Sequence, residues 1–406
     1  MQRRPVLAGA VRECGIEIHF GVLKLGGSIG IATIDMVGLG FRLTGRYGAG
    51  RQFPHGADLQ ATNDDTEPFE SDSVGQSSTV LGSPFLVFAP TLETPADWAC
   101  FTEGSTSTLT FDRLAMATPG LTPVDKMLLE QYNRLYVGTL YDVLNMSVLA
   151  APLLGISNEL AEYLRTLPQH RVELAISSRA IPLFKWRFAN PVFWAEASAG
   201  RLSSEVMAHY LMEHSPVKAD KLPHSGAWGG LRMARPLQEA YAEAFVYFKC
   251  RAKGVASLFN MNVTTVRQMY LRIHGESSPS GHSPTSSGWY LDSAGKRLQS
   301  TFHLWLFRSA FATGATIPEA FISAVDIGKH MFGDESKVTA DRAFHLLRSM
   351  ATEHDLDVRA CRTCGTAYLT ANGDLAHSVL CPSCSGTLTS PNVGRVGRTR
   401  PRKKKR

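Results

Sequence analysis

Along much of this chain, apolar positions recur every three or four residues between short polar interruptions. In TPVDKMLLEQYNRLYVGTLYDVLN the apolar set is Leu128, Leu129, Tyr132, Leu135, Tyr136, Leu140 and Leu144. At 3.6 residues per turn this spacing gives one face of a helix. Thr122 before Pro123 supplies an N-cap and a first-turn proline, which sets the start. Gly155-Ile156-Ser157 then punctuates, Ser157 caps SNELAEYLRTL, and LPQHRVELAISS predicts another short helix behind Pro168. These pieces predict a compact helical unit over residues 122–213. HSPVKADKLPHSGAWGG has prolines, glycines and little periodicity, and reads as a linker over 214–232.

A second helical unit, 233–355, starts its first helix near Leu237. It is interrupted by the Pro/Gly/Ser loop HGESSPSGHSPTSSG and resumes with the apolar helix AGKRLQSTFHLWLFRSAFATG. Helices near 317–332 and 337–353 complete it. The predicted fold class is mainly α, with no internal repeat of fixed period.

Residues 1–121 lack a sustained period. The first fifty are glycine-rich, and the next sixty are rich in Ser, Thr, Pro and acids. PFLVFAP has the composition of a strand. GGSIG is not followed by Gly-Lys-Ser/Thr, so it is no phosphate loop. The segment is left without an assigned function: it is either largely disordered or an extension that the function does not need.

Composition narrows the class. The chain has 406 residues and 44% hydrophobic content, enough for two or three globular domains of roughly 100–200 residues each. No charge-free apolar run reaches the ~18 residues of a membrane span. Arg12, Glu13 and Lys24 break the N-terminal apolar stretch, which argues against a secretory signal. Seven cysteines, four of them in metal spacing, fit a reducing cytoplasm better than a disulfide framework. The net charge is +6, yet Arg395–Arg406 alone carries eight basic residues and no acid. The remainder is therefore 6 − 8 = −2, nearly balanced. A basic tail over 391–406, with Arg398, Arg400 and Arg402, points to a polyanion, although like-charge ends also serve simply to solubilise.

The sharpest chemical signal is CRTCGTAYLTANGDLAHSVLCPSC, two Cys-x-x-Cys pairs with sixteen residues between them. Each pair offers two thiolates from one bend, and the spacing lets two such knuckles meet around one ion. Cys361, Cys364, Cys381 and Cys384 would close a tetrahedron around a single structural Zn²⁺, within a ribbon over 356–390. A catalytic zinc keeps an open position, and four thiolates leave none. His377, between the pairs, reads as a loop histidine rather than a ligand.

KCRAKGVASLFNMNVTTVRQMYLRIH carries Lys249, Arg251, Lys253, Arg267 and Arg272 without an acid. Its apolar positions follow helix-turn-helix grammar. Val255, Ala256 and Phe259 face inward, Asn260 tolerates positive φ at the turn, and Asn262 caps the second helix. Val263, Val266 and Tyr270 supply the buried side of that helix. Thr264, Thr265, Arg267, Gln268 and Arg272 remain on the open face, where hydroxyls, amides and guanidinium groups can reach phosphates or base edges. An ordinary helical hairpin has the same pattern; the basic tail and the thiolate knuckles in the same half favour double-stranded DNA. No GxSxG, HExxH or paired-carboxylate stretch stands out, so the chain is not expected to be an enzyme.

VRQMYLRIHGESSPSGHSPTSSGWYL, followed by FHLWLFRSAF and the cysteine segment, resembles FlhC, the zinc-containing subunit of the bacterial flagellar master transcriptional activator. LGISNELAEYLRTLPQHRVELA and the WRF that follows resemble its partner subunit, FlhD. The likeness spans about 124–213 for the D-type half and Met233 to the end for the C-type half. It implies promoter binding upstream of flagellar and motility operons, recruitment of RNA polymerase, zinc on the four cysteines, and a D-type unit that dimerises. An intersubunit cysteine of some D-type proteins is replaced near Phe184, so no such disulfide is expected. Joining the halves forces equal numbers, whereas the family complex holds more D-type subunits. The chain therefore either assembles differently or recruits separate D-type or C-type subunits. The expected function is a DNA-binding transcriptional activator. The rival expectation is a zinc-ribbon adaptor or assembly protein that binds nucleic acid without sequence preference.

Overall fold

The structure is a computed structural model that describes residues 80, 83–117, 121–217, 219–280, 286–353, 355–374 and 379–388. Among the described residues helix dominates, in agreement with the periodicity, and the strands form two small antiparallel pairs. Among the described residues no helix is long and apolar enough to cross a membrane.

Part of the unassigned segment 1–121 is folded, against the first of its two alternatives, disorder. It forms β1 (Phe88–Pro90), α1 (Pro95–Glu103) and α2 (Leu109–Ala117). Thr94 and Asp97 make a capping box at the start of α1, each satisfying a backbone N–H of the other's position. Phe85, Leu86, Val87, Phe88, Trp98 and Phe101 are buried, none more than 1% exposed. Average polarity over about sixty residues concealed two apolar clusters, PFLVFAP and the Trp98–Phe101 turn, too short to show a period. The glycine-rich first fifty residues lie outside the described residues.

α3 (Pro123–Met146) starts where Thr122 and Asp125 form a second capping box, with Pro123 in the first turn. Leu129, Tyr136, Leu140 and Leu144 are buried as expected, Leu128 and Tyr132 are partly buried, and Leu135 is exposed. α4 (Ala150–Leu154), α5 (Asn158–Thr166) and α6 (Gln169–Ser178) wrap α3. The Ser157 hydroxyl accepts from Leu160 N at 3.2 Å and caps α5. β2 (Phe184–Trp186) then returns to pair with β1 in the register Phe88↔Trp186 and Pro90↔Phe184. Phe184 is buried, with ring centroids 5.4 Å from Phe88 and 5.5 Å from Tyr136.

After α7 (Pro191–Ser198) and α8 (Ser204–Glu213) comes the stretch expected to be a linker. It is anchored. Trp228 is buried between Phe307 and Phe344, at 5.7 and 6.0 Å, and the N–H groups of Gly230 and Leu231 donate to the carbonyls of Ser257 and Leu258. Low periodicity here reflects a strap held by a few contacts, not a tether.

The second half comprises α9 (Arg235–Tyr247), α10 (Ala252–Phe259), α11 (Val263–His274), α12 (Ala294–Ala312), α13 (Ile317–Phe332) and α14 (Ala340–Thr352). α12 and α13 form the central pair and touch closely. Gly328 permits this, because a Cβ there would lie 2.1 Å from Cε1 of His303. The apolar core is continuous across both halves. Phe85 meets Phe302 and Trp305 of α12 at 5.9 and 6.1 Å, and the Thr313 hydroxyl donates to the Val148 carbonyl at 3.2 Å. Finally, β3 (Leu356–Ala360) and β4 (Ala367–Ala371) pair as a hairpin against α12.

Candidate metal centre and nucleic-acid face

The hairpin turn between β3 and β4 is the first Cys-x-x-Cys knuckle. Gly365 N–H donates to the Cys361 carbonyl at 2.8 Å, and Gly365 itself has φ of 75°, a conformation that glycine takes without strain. The second knuckle is a similar turn, closed by Ser385 N–H on the Cys381 carbonyl at 3.0 Å. Arg362 N–H donates to the Val379 carbonyl at 3.1 Å and joins the two.

The four cysteine sulfurs converge, all within 4.8 Å of one another. Cys364 Sγ and Cys381 Sγ stand 3.7 Å apart. Zn–S bonds of about 2.3 Å in a tetrahedron require an edge of about 3.8 Å, so this pair already has the needed separation. Backbone N–H groups point at the sulfurs, Cys381 N at Cys361 Sγ (3.3 Å) and Cys384 N at Cys381 Sγ (3.2 Å). Burial opposes ionisation of Cys361, but N–H donors from Cys364, Cys381 and Thr363 outweigh it and bring the thiol to about 6. Burial pushes Cys381 and Cys384 up, the latter to about 11. Four neighbouring thiols cannot all ionise without a cation among them, and a dication resolves that conflict. The donor set fits a closed, structural metal site. His377 lies outside the described residues.

Side chains from distant helices surround the knuckles. Arg297 of α12 donates through Nε to the Leu369 carbonyl at 2.7 Å and through Nη1 to the Leu380 carbonyl at 3.0 Å. His209 of α8 places Nδ1 2.9 Å from the Tyr368 hydroxyl. Nothing in the cysteine spacing signals either residue, because Arg297 stands 72 positions from Leu369 and His209 stands 159 from Tyr368.

The second site is the α10–turn–α11 unit. Asn260 ends α10 with φ of 52° and ψ of 44°, and its N–H donates to the Ala256 carbonyl. Asn262 Oδ1 accepts from Thr264 N at 2.8 Å and caps α11. Val255, Ala256 and Phe259 on α10 and Val266 and Tyr270 on α11 are buried, whereas Val263 is only partly covered. Thr264, Thr265, Arg267 and Gln268 are exposed together along the first turns of α11.

The cations divide differently from their neighbours in sequence. Arg251 is bound to Asp341, Lys249 faces Glu276 at 3.7 Å, and Arg272 pairs with Glu243 at 2.6 Å. The acid-free stretch is thus neutralised in part by acids from α9, α14 and the residue after Gly275. Lys253 and Arg267 are both exposed, and neither takes part in an ion pair among the described residues. Arg398, Arg400 and Arg402 lie outside the described residues.

No protein-family model matches this chain, and no curated protein matches it.

Proposed function

We propose that this protein is a DNA-binding transcriptional activator that presents α11 to the major groove and uses a structural metal to build its C-terminal ribbon. The observation that carries the reading is the pairing of a helix-turn-helix bend at Asn260 with an exposed row of Thr264, Thr265, Arg267 and Gln268 on the next helix. Hydroxyls and amides read base edges, and an exposed arginine that forms no ion pair among the described residues can read guanine or hold phosphate. The resemblance of this half to FlhC, and of the preceding half to FlhD, makes flagellar and motility promoters the target class and RNA polymerase the partner. Lys253, Arg267 and the tail would supply the salt-sensitive part of the affinity.

A second reading is supported by the ion pairs. With Lys249, Arg251 and Arg272 paired to acids, part of the charge beside the helix-turn-helix bend is neutralised, whereas the tail carries eight basic residues and no acid. An adaptor that holds nucleic acid through that tail would bind without regard to sequence.

One titration separates the two. The full-length, metal-loaded protein is bound to a motility-promoter duplex and to a shuffled duplex of equal length, at low and at physiological salt. The activator reading expects a preference for the promoter that survives the higher salt and is lost in a Thr264→Ala/Gln268→Ala variant. Equal affinity for the two duplexes would discard it in favour of the adaptor.

A further inference from the structure

The tetrathiolate centre has an electrostatic difficulty that the ribbon does not solve alone. A dication with four thiolates carries a net charge of −2, and Cys361 and Cys381 are buried. Half-buried Arg297 provides positive charge beside it, with its guanidinium 5.9 Å from the Tyr368 ring centroid. The same guanidinium ties two parts of the ribbon, the Leu369 carbonyl in β4 and the Leu380 carbonyl immediately before Cys381. Burial lowers its pKa, while Tyr368, Cys381, Asp374 and Cys361 act in the opposite direction.

His209 approaches from the other half of the chain. Tyr368 is fully buried, and among the described residues His209 Nδ1 is the hydrogen-bond partner of its hydroxyl. With the tyrosine donating, the histidine proton resides on Nε2. That nitrogen faces Glu213 Oε2 at 3.5 Å, and the ligand atoms of His209, Glu213 and Cys364 all lie within 4.8 Å of one another. A protonated Nε2 cannot coordinate a metal, but it can donate to a thiolate or a carboxylate.

We propose that Arg297 and His209 are positioning residues of the metal centre, so that the helical body, and not the ribbon alone, retains the ion. Arg297 offsets the thiolate charge and fixes the approach to Cys381; His209 donates toward Cys364 and Glu213. Groups that surround metal ligands commonly change affinity about 10- to 100-fold when removed. The proposal rests on the four cysteines being a metal centre and is independent of any role in DNA binding.

The test uses the full-length zinc-loaded protein and follows zinc transfer to a chromogenic chelator, with the thiolate charge-transfer band of the Co²⁺ form as a spectroscopic check. Arg297→Met should speed release by about 10- to 100-fold, and Arg297→Lys should fall between it and the wild type. His209→Phe should also speed release and shift the Co²⁺ band. Thr301→Val, which removes a helix-to-ribbon hydrogen bond on Leu369 N but no charge, should accelerate release less than Arg297→Met. Equal release from Arg297→Lys and wild type together with an unshifted His209→Phe band overturns the proposal, even if Arg297→Met fails to fold. A wild-type chain that takes up no zinc overturns the centre and its surroundings together, whatever it does with DNA.

Discussion

Asp341, in the first turn of α14, holds Arg251 at two points. Its Oδ1 accepts from the Arg251 backbone N–H at 3.0 Å, and its Oδ2 faces the Arg251 Nε at 3.1 Å. Arg251 is the residue before α10, so the contact ties the entry of the helix-turn-helix unit to α14. Asp341→Ala should lower stability by roughly 2 kcal/mol, the scale of a charge-assisted hydrogen bond in a partly covered site. Arg251→Ala should do likewise in urea titrations, without changing the salt dependence of DNA binding. Arg267→Ala should do the reverse, leaving stability unchanged and reducing the salt slope by about one.

Removing the N-terminal segment up to residue 121 should cost the fold, not only an appendage. It would strip β1 from β2 and take away Phe85, Phe88, Trp98 and Phe101, all fully buried. Phe101→Ala alone is expected to destabilise the protein by roughly 3–5 kcal/mol. A fragment starting at residue 122 that unfolds as cooperatively as the whole chain, at the same denaturant midpoint, would contradict this.

Asp326 of α13 is buried, and its Oδ2 has no hydrogen-bond partner among the described residues. Burial pushes its carboxyl up to about 6, with Lys329 acting against the rise. The unfolded chain ionises near 3.8, so stability falls as pH climbs from there to about 6, and the penalty is complete above that. The difference corresponds to a maximum of roughly 3 kcal/mol. Asp326→Asn should therefore match the wild type at pH 4 and below and be more stable at pH 7. His303 slopes the other way. Burial brings it down to about 4, so stability is lost as pH falls from 6.5 toward 4. The wild-type profile should be nearly flat where the two overlap, and Asp326→Asn should expose the histidine's slope. Urea midpoints across this pH range provide the check.

Cys361→Ser should release the metal and unfold the ribbon while α12 and α13 keep their helical signal, because metal-binding free energy is folding free energy for such a unit. Zinc content and proteolysis of residues 356–388 report this directly. A Cys361→Ser protein that holds one equivalent of zinc would remove the centre from consideration. Metal affinity should also decline as pH falls, since each thiol must lose its proton to ligate.

Helix starts were legible because their causes are local. Thr122, Ser157 and Asn262 each cap a helix within three residues of themselves, and Asn260 adopts the left-handed turn that its residue type tolerates. The inward faces of α10 and α11 followed from spacing. The order of 83–117 was not legible, because its apolar clusters are too short to repeat a period and are covered by β2, α4, α5, α6 and α12, which lie far along the chain. The burial of Trp228 was hidden for the same reason: its tilted ring partners, Phe307 and Phe344, are supplied by α12 and α14.

By itself the sequence determined where helices begin, which helix faces turn inward, and that two Cys-x-x-Cys bends could share an ion. These depend on backbone geometry within one or two turns, which neighbouring residues set directly. Only the tertiary structure decided which cations remain available, since Glu243, Glu276 and Asp341 reach Arg272, Lys249 and Arg251 from three other places. It also decided that Arg297 and His209 stand beside the cysteines. Charge pairing and close packing act across space, so they take effect only once helix faces have met.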